Sequence, residues 1–164
     1  MNNITIREVK KSDLDRCYEI EITSYEGDEA ADRSKIIKRI NTYPKGFIVL
    51  EVDDAIAGFI NCGATDKIEL SDEDFKELIG HDPNGKHIVI MSVVVHPDYQ
   101  GKGYAGMLMN HFINKMIKLD KTSIYLICQT RLIKMYEKYG FEYIVVSNSD
   151  HGGLSWHEMV LKLK

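Results

Sequence analysis

The sequence has few features that would tie it to a membrane or to an oxidising compartment. It is 164 residues long and contains only three prolines and three cysteines. No run of about 18 consecutive apolar residues occurs, which argues against a transmembrane helix, and residues 1–14 lack the apolar stretch of a signal peptide. These absences exclude a membrane as a partner and predict a cytoplasmic location.

The three cysteines do not form a recognisable pattern. Cys17, Cys62 and Cys128 are odd in number, far apart in the chain and without CxxC spacing. Disulfide frameworks and zinc sites depend on paired or closely spaced cysteines. We therefore expect buried free thiols and no metal.

The charge balance is slightly acidic. The 21 basic and 25 acidic residues give a net charge of −4, with a pI near 5.9. This leaves no broad cationic surface for nucleic acid and weakly favours a cationic partner such as an amine. The hydrophobic fraction of 44% and the length are typical of a globular chain with one domain over residues 1–164, either a monomer or a homodimer.

The periodicity of apolar residues predicts an α/β chain in the order βααββ, insertion, βαβαββ. We predict strands at 4–9, 46–52, 55–64, 87–95, 123–128, 141–147 and 154–163, and helices at 14–25, 30–41, 104–119 and 130–139. Residues 87–95 are almost wholly apolar and β-branched, which indicates a central strand buried on both faces. The acidic segment 65–85, with a short helix at 71–79, is interpreted as an insertion over one end of the sheet.

A glycine-rich turn follows this central strand and opens a helix. Gly101, Gly103 and Gly106 allow the backbone to approach a ligand closely, and the first turn of the helix presents N–H groups and the positive end of its dipole. The spacing matches neither a P-loop nor a dinucleotide-binding fingerprint. The turn is either a simple connection or a binding site for a phosphate group.

Two motifs together favour the phosphate site. Gln100-x-x-Gly103-x-Ala105 opens the helix, and Tyr136-x-x-x-Gly140-Phe141 follows downstream. This pair resembles the acetyl-CoA signature of the GNAT superfamily of N-acetyltransferases. The resemblance implies acetyl-CoA as co-substrate and an α/β GNAT fold, in which a mixed, mostly antiparallel sheet of about seven strands is flanked by about four helices and splays between the central strand and the next.

The same resemblance assigns the cofactor contacts. It implies that backbone N–H groups of Gly101–Gly106 bind the pyrophosphate and that Val93 and Val95 pair with the pantetheine amides. Gln129 stands seven residues before Tyr136, where many relatives have an Asn that hydrogen-bonds the pantetheine. The expected cofactor-binding residues are Val93, Val94, Val95, Gln100, Gly101, Lys102, Gly103, Tyr104, Ala105, Gly106, Gln129 and Tyr136.

Several segments also resemble the arylalkylamine N-acetyltransferase branch of that superfamily. The similar segments are 20–22, 46–60, 128–141 and 153–159. That branch carries two histidines on the central strand that relay the proton of the amine to water, and the matching positions here are Val89 and Met91, which cannot titrate. Either another group removes the proton or the substrate class has changed, so the substrate specificity of the branch does not transfer.

Acetyl transfer to an amine requires a group that removes a proton, a donor for the oxyanion and an acid for the departing thiolate. Tyr136 matches the general acid of the superfamily, with a tyrosine that fills the core as the alternative. The backbone N–H of Val93 or its neighbour is the expected oxyanion donor. His87 shares strand parity with Val93 and is one candidate base, with a solvated or packed histidine as the alternative. Glu26 and Glu29 are the others, in the loop between the first two helices, and a solvated acidic loop is their alternative interpretation.

These observations predict an acetyl-CoA-dependent N-acetyltransferase that acts on a primary amine of a small molecule, arylalkylamine- or polyamine-like, by direct attack in a ternary complex. Two alternatives stay open. One is acetylation of a protein or peptide amine, and the other is a non-catalytic acetyl-CoA-binding module with a regulatory role.

Overall fold

The computed structural model describes residues 3–25, 30–68, 75, 78–147 and 156–164. The strands are β1 (Ile4–Glu8), β2 (Phe47–Val52), β3 (Ala55–Thr65), β4 (His87–Val95), β5 (Ser123–Gln129), β6 (Glu142–Val146) and β7 (Trp156–Lys162). The helices are α1 (Leu14–Ser24), α2 (Arg33–Thr42), α3 (Tyr104–Lys118) and α4 (Ile133–Lys138). The predicted element order is confirmed, and the short helix expected at 71–79 falls largely outside the described residues.

The seven strands form one sheet in the order β1-β2-β3-β4-β5-β7-β6. Every neighbouring pair is antiparallel except β4 and β5, which run parallel. The hairpin between β2 and β3 is tight because Asp53 and Asp54 both adopt positive φ angles, of 51° and 71°, as a two-residue turn of this kind requires. The mixed, mostly antiparallel sheet and its four helices are the predicted fold. No helix among the described residues is long and apolar enough to cross a membrane.

The sheet opens between β4 and β5. The two strands pair only at their first three residues, where His87, Ile88 and Val89 face Ser123, Ile124 and Tyr125. Both strands continue beyond this point, β4 to Val95 and β5 to Gln129, without further pairing to each other. The predicted splay between the central strand and its neighbour is therefore present, and it creates a gap in the middle of the sheet.

Helices cover both faces of the sheet. On one face α1 and α2 pack against buried residues that include Val49, Phe59 and Val94. On the other face α3 places Leu108, Phe112 and other apolar residues, spaced three or four apart, over the second core cluster. β4 thus contributes apolar residues to both of two separate cores, with Val94 in one and Ile88, Ile90 and Val95 in the other.

A β-bulge interrupts the alternation of β4. Asn61 pairs with Ser92, but the next residue of β3, Cys62, pairs with Ile90, so that Met91 is an extra residue. As a result, Ile90 before the bulge and Val93 after it pack into the same core beneath α3, although they are three positions apart. The bulge moves every side chain beyond it to the opposite face from that predicted by simple alternation.

An ionic cluster joins the start of the chain to the edge of the sheet. The Arg7 guanidinium donates to Asp13 at 2.8 Å and to Glu51 at 2.6 Å, and the backbone N–H of Lys10 donates to Asp13 at 2.7 Å. Burial raises the pKa of Asp13, but the hydrogen bonds from Arg7 and Lys10 outweigh burial and hold this pKa below its ordinary value. The Asp13 carboxylate therefore stabilises the fold above the pKa that it has in the unfolded chain, and this stabilisation is lost as the pH falls through its folded pKa.

We expect Asp13→Asn to lower the free energy of unfolding at neutral pH by about 2 kcal/mol, because it removes a charged acceptor of buried hydrogen bonds. Below about pH 4 the difference from the wild type should shrink, since the wild-type carboxylate is then being protonated. Urea unfolding at a series of pH values measures both effects. Asp15→Asn is the control: its ion pair with Arg33 is exposed, so the change should be under about 0.5 kcal/mol at every pH. Equal losses in the two variants would contradict the prediction.

Candidate active site

A cavity of about 350 Å³ lies in the gap between β4 and β5. Residues 89–95 of β4 and 126–129 of β5 form its two long walls, and Tyr136 of α4 and Trp156 of β7 also line it. Its far wall comes from α1 and α2, through Glu21, Tyr25, Arg39 and their neighbours. The gap in the sheet is therefore a cleft with polar side chains at one end and apolar walls on both sides.

The backbone of β4 presents hydrogen-bonding groups to this cleft. The N–H of His96 donates to the carbonyl of Ala57, on the β3 side, at 2.8 Å. Because successive residues of a strand direct their backbone hydrogen-bonding groups to alternate edges, those of Val93 and Val95 point to the other edge, toward β5. Consistent with this direction, the Val95 carbonyl accepts from the side-chain amide of Gln100 at 2.9 Å. Beyond Val89, no residue of β5 pairs with this edge of β4. An extended ligand with amide groups can pair there as an added strand would.

The glycine-rich turn lies at the mouth of the cleft. Gly101 and Gly103 have φ angles of +77° and +85°, which favour glycine, and space beside both is open. Gly103 is the N-cap of the 15-residue α3 and offers no side chain to its first N–H groups. Those N–H groups and the positive end of the helix dipole favour an anion.

The structure places most of the predicted cofactor-binding residues together. Seven of them line the cleft: Val93, Val94, Val95, Gln100, Ala105, Gln129 and Tyr136. The exposed turn outside the cavity contains Gly101, Lys102 and Gly103, and Gly106 follows in the first turn of α3. The ring of Tyr104 is buried in the core near that of Tyr99, so only its backbone can serve a ligand. No group of three or more His, Cys, Asp or Glu side chains within the described ranges is arranged to hold a metal ion.

Tyr136 is a buried phenol inside the cleft, packed edge-on against Phe141. Burial raises the pKa of its hydroxyl well above the ordinary value, and the nearby Tyr25 and Cys128 act in the same direction. The phenol therefore stays protonated at neutral pH and can donate a hydrogen bond or a proton. Burial likewise raises the pKa of Cys128 to about 11, so its thiol is protonated and a poor nucleophile.

The prediction that His87 and Val93 share a face of β4 is wrong, because the bulge at Met91 puts them on opposite faces. His87 lies at the start of β4, where its Nδ1 is 2.5 Å from the Ser123 hydroxyl, and it does not belong to the described lining of the cleft. Six residues of strand, about 20 Å, separate it from Val93.

Four other positions were singled out in the sequence. Glu26 and Glu29 lie outside the described residues. Val89 and Met91, at the positions where the arylalkylamine branch has histidines, line the cleft as apolar side chains.

A buried polar group that the sequence analysis did not single out lies where α1 and α2 line the cleft. Glu21 and Arg39 are 1% and 3% exposed, and the Arg39 guanidinium donates to the Ser92 hydroxyl at 3.3 Å. One feature of the sequence indicates their burial: Glu21 follows Cys17 by four residues and Arg39 follows Ile36 by three, which places both on the apolar faces of their helices.

Comparison with known proteins agrees with this geometry. The model of the acetyltransferase (GNAT) family matches residues 14–141. An uncharacterized N-acetyltransferase, ycf52, of Porphyra purpurea is 34% identical over 58 residues, 35% of this chain; the matched part spans about a third of that relative, 33% of its length.

Solved structures show the same fold. The loading GNATL domain of CurA from Lyngbya majuscula has a TM-score of 0.87 at 16% identity, and Ard1 from Thermoplasma volcanium has 0.79 at 21%; in both cases 98% of each chain is covered. The putative acetyltransferase yncA from Salmonella typhimurium, solved with its cofactor acetyl-CoA, has 0.71 at 21% identity, with 99% of this chain and 95% of that chain covered. With the family model matched over most of its length, the chain belongs to the acetyltransferase (GNAT) family, the N-acetyltransferases that take their acetyl group from acetyl-CoA.

Proposed function

We propose that this protein transfers the acetyl group of acetyl-CoA to a primary amine of a small molecule by direct attack in a ternary complex. The observation that carries the proposal is a buried phenol, Tyr136, in a cleft that begins where β4 and β5 separate. The chain thus has a protonated acid beside an open strand edge, and a turn suited to phosphate at the entrance to the same cleft.

The cofactor would lie along β4. The N–H groups of residues 101–106 bind the pyrophosphate, and the Val93 and Val95 backbone pairs with the pantetheine amides. This arrangement carries the thioester to the middle of the cleft, where the N–H of Val93 stabilises the developing oxyanion. Gln129 lines the same stretch of the cleft and supplies a side-chain amide to the pantetheine.

Tyr136 then acts on the leaving group. When the tetrahedral intermediate collapses, the C–S bond breaks and the thiolate takes the phenolic proton of Tyr136. A raised pKa suits this role because the phenol is fully protonated before the reaction, and the tyrosinate that forms is a strong base that readily regains a proton. Cys128, held as a thiol, gives no reason to invoke an acetyl-enzyme intermediate.

The proposed acceptor is a small amine because the cavity is narrow and largely apolar. Its volume of about 350 Å³ serves both the thioester end of the cofactor and the acceptor, and Tyr25, Met91 and Trp156 line it. These walls favour an amine with an aromatic or aliphatic body. Val89 and Met91 require that its proton leaves by a route other than a histidine pair.

A protein N-terminus is the second candidate acceptor. Arabidopsis thaliana Naa50, solved with the bisubstrate analogue CoA-Ac-MVNAL, has a TM-score of 0.72 to this chain at 19% identity, covering 96% of this chain and 97% of that one. The ribosomal-protein-S18-alanine N-acetyltransferase from Escherichia coli has 0.71 at 18% identity, covering 100% and 95%. These similarities support a common fold and motivate a direct comparison of peptide and small-molecule acceptors.

Coenzyme A release with a panel of arylalkylamines, polyamines, aminoglycosides and short peptides tests the acceptor class. We expect the highest kcat/KM with a small primary amine, because the apolar cavity holds its body while its nitrogen reaches the thioester. A peptide that exceeds every small amine would favour the second candidate. Tight CoA binding without turnover on any acceptor would favour a non-catalytic regulatory module.

Gly103→Ala should weaken the binding of CoA, measured by titration calorimetry, by about tenfold or more. The substitution strains a left-handed backbone and so moves the N–H groups that are proposed to hold the pyrophosphate. Gly80→Ala is a matched control: its φ is +90°, the space beside it is also open, and it does not line the cleft. Equal CoA affinity in the two variants would place the pyrophosphate elsewhere.

Tyr136→Phe should lower kcat by about 100-fold while CoA affinity changes less than about twofold, since only a proton donor is lost. Tyr43→Phe controls for the loss of a buried hydroxyl, because burial also raises the pKa of Tyr43 although this residue lies outside the cleft. It should leave kcat unchanged. A Tyr136→Phe enzyme with wild-type turnover would rule out the acid role.

A further inference from the structure

A buried carboxylate, that of Glu21, has one oxygen with no partner beside the proposed acceptor space. Its Oε2 accepts the backbone N–H of Ala31 at 2.8 Å and so helps to hold the segment that leads into α2. Its Oε1 is also buried and has no hydrogen-bond partner among the described residues. Because an unpaired buried polar atom costs about 1–3 kcal/mol, such an atom in a ligand cavity needs an explanation.

The position of Glu21 relates it to the reacting centre. Glu21 and Ser24 of α1, and Tyr25 directly after it, all line the cavity. The Ser24 hydroxyl donates to the Val95 carbonyl at 3.4 Å, and the Tyr25 hydroxyl lies 3.5 Å from the Val93 carbonyl. Glu21 is thus about one helical turn, roughly 5 Å, from side chains that touch the proposed thioester-binding stretch of β4.

Charged and polar groups approach Glu21 from α1, α2 and β4. Arg39 faces it from α2, Lys35 of the same helix lines the cavity, Cys17 is its neighbour on α1, and Ser92 approaches from β4. Burial raises the pKa of Glu21 above its ordinary value, while the Ala31 N–H, Arg39 and the Ser92 hydroxyl oppose this rise. The net result is a raised pKa, and a carboxyl group whose pKa is raised binds a proton more tightly than an ordinary glutamate, as a general base requires.

We propose that Oε1 of Glu21 binds the ammonium group of the acceptor and takes its proton before the amine attacks the thioester. This inference rests on the proposed function and supplies the proton acceptor that Val89 and Met91 cannot provide. It makes Glu21 a catalytic residue, since its oxygen touches the reacting amine.

The proton and electron balance is complete. The ammonium gives one proton to Glu21, and the lone pair of the neutral amine forms the C–N bond while the carbonyl electrons move to oxygen. The intermediate collapses, the C–S bond breaks, and the thiolate takes the proton of Tyr136. The second amine proton returns to the tyrosinate, and Glu21 releases its proton to water when the product leaves. The net products are the amide, CoA and one proton.

Glu21→Gln separates the catalytic role from a structural one. Glutamine keeps an oxygen that accepts the Ala31 N–H, so thermal stability and CoA affinity should stay close to those of the wild type. It cannot take a proton, and kcat/KM for 2-phenylethylamine should fall by about 100-fold. The loss should be much smaller for the β,β-difluoro analogue, whose amine is largely neutral at neutral pH and needs no base.

Three further measurements complete the test. Glu19→Gln, on the exposed side of the same helix, should leave kcat/KM unchanged for both amines. Glu21→Asp keeps a carboxylate, so its kcat should be reduced but should still fall toward low pH as that of the wild type does. This variant allows the proposal to be judged even if the glutamine variant unfolds. The Kd of 2-phenylethylamine for CoA-saturated protein should weaken about tenfold in Glu21→Gln.

The outcomes separate this inference from the proposed function. If the wild type acetylates no amine, the proposed function fails and the proton-transfer step fails with it, whereas the Kd comparison still decides whether Glu21 binds ammonium. If turnover is present, an equal loss with both amines, or no loss with either, overturns the role of Glu21 as the base.

Discussion

The early separation of β4 from β5 is the constraint on which the rest of the structure depends. A parallel pair that stays bonded along its length would leave no space in the middle of the sheet. Here pairing stops after three residues, and the edge of β4 that carries Val93 and Val95 is available to a ligand. The same separation opens the cavity toward α1 and α2 on one side and toward α4 on the other. A cofactor and an acceptor can therefore meet within the sheet itself.

Two hydrophobic cores stabilise β4 beside this opening. One lies beneath α3 and the other beneath α1 and α2, and the two sides of β4 contribute to both. The apolar area buried on each face holds the strand in place although its edge toward β5 is unpaired beyond Val89. The bulge at Met91 belongs to the same arrangement, since it redirects the side chains of residues 92–95 at the point where the cleft begins.

Burial also sets the protonation states of the groups that face the cleft. Tyr136 and Cys128 are held in their protonated forms by desolvation, whereas Glu21 is subject to opposing effects from desolvation and from Arg39. The proposed acid and the proposed base thus differ because one physical cause, burial, acts on groups with different neighbours. In this arrangement the phenol stands on the α4 side of the cleft and the carboxylate on the α1 side, with the open edge of β4 between them.

The local sequence by itself determined the element order, the tight Asp53–Asp54 turn and the glycine-rich turn before α3, because each depends on short-range periodicity or on backbone angles that few residues adopt. The seven-stranded sheet and its splay were predicted from the resemblance carried by the Gln100 and Tyr136 motifs. Only the tertiary structure decided which side chains share the cleft. One extra residue at Met91 separated His87 from Val93, which alternation cannot reveal, and the packing of α1 on α2 brought Glu21 and Arg39 together from positions that look like parts of apolar helix faces. Burial and pairing of charges depend on contacts between distant segments, so no local pattern specifies them.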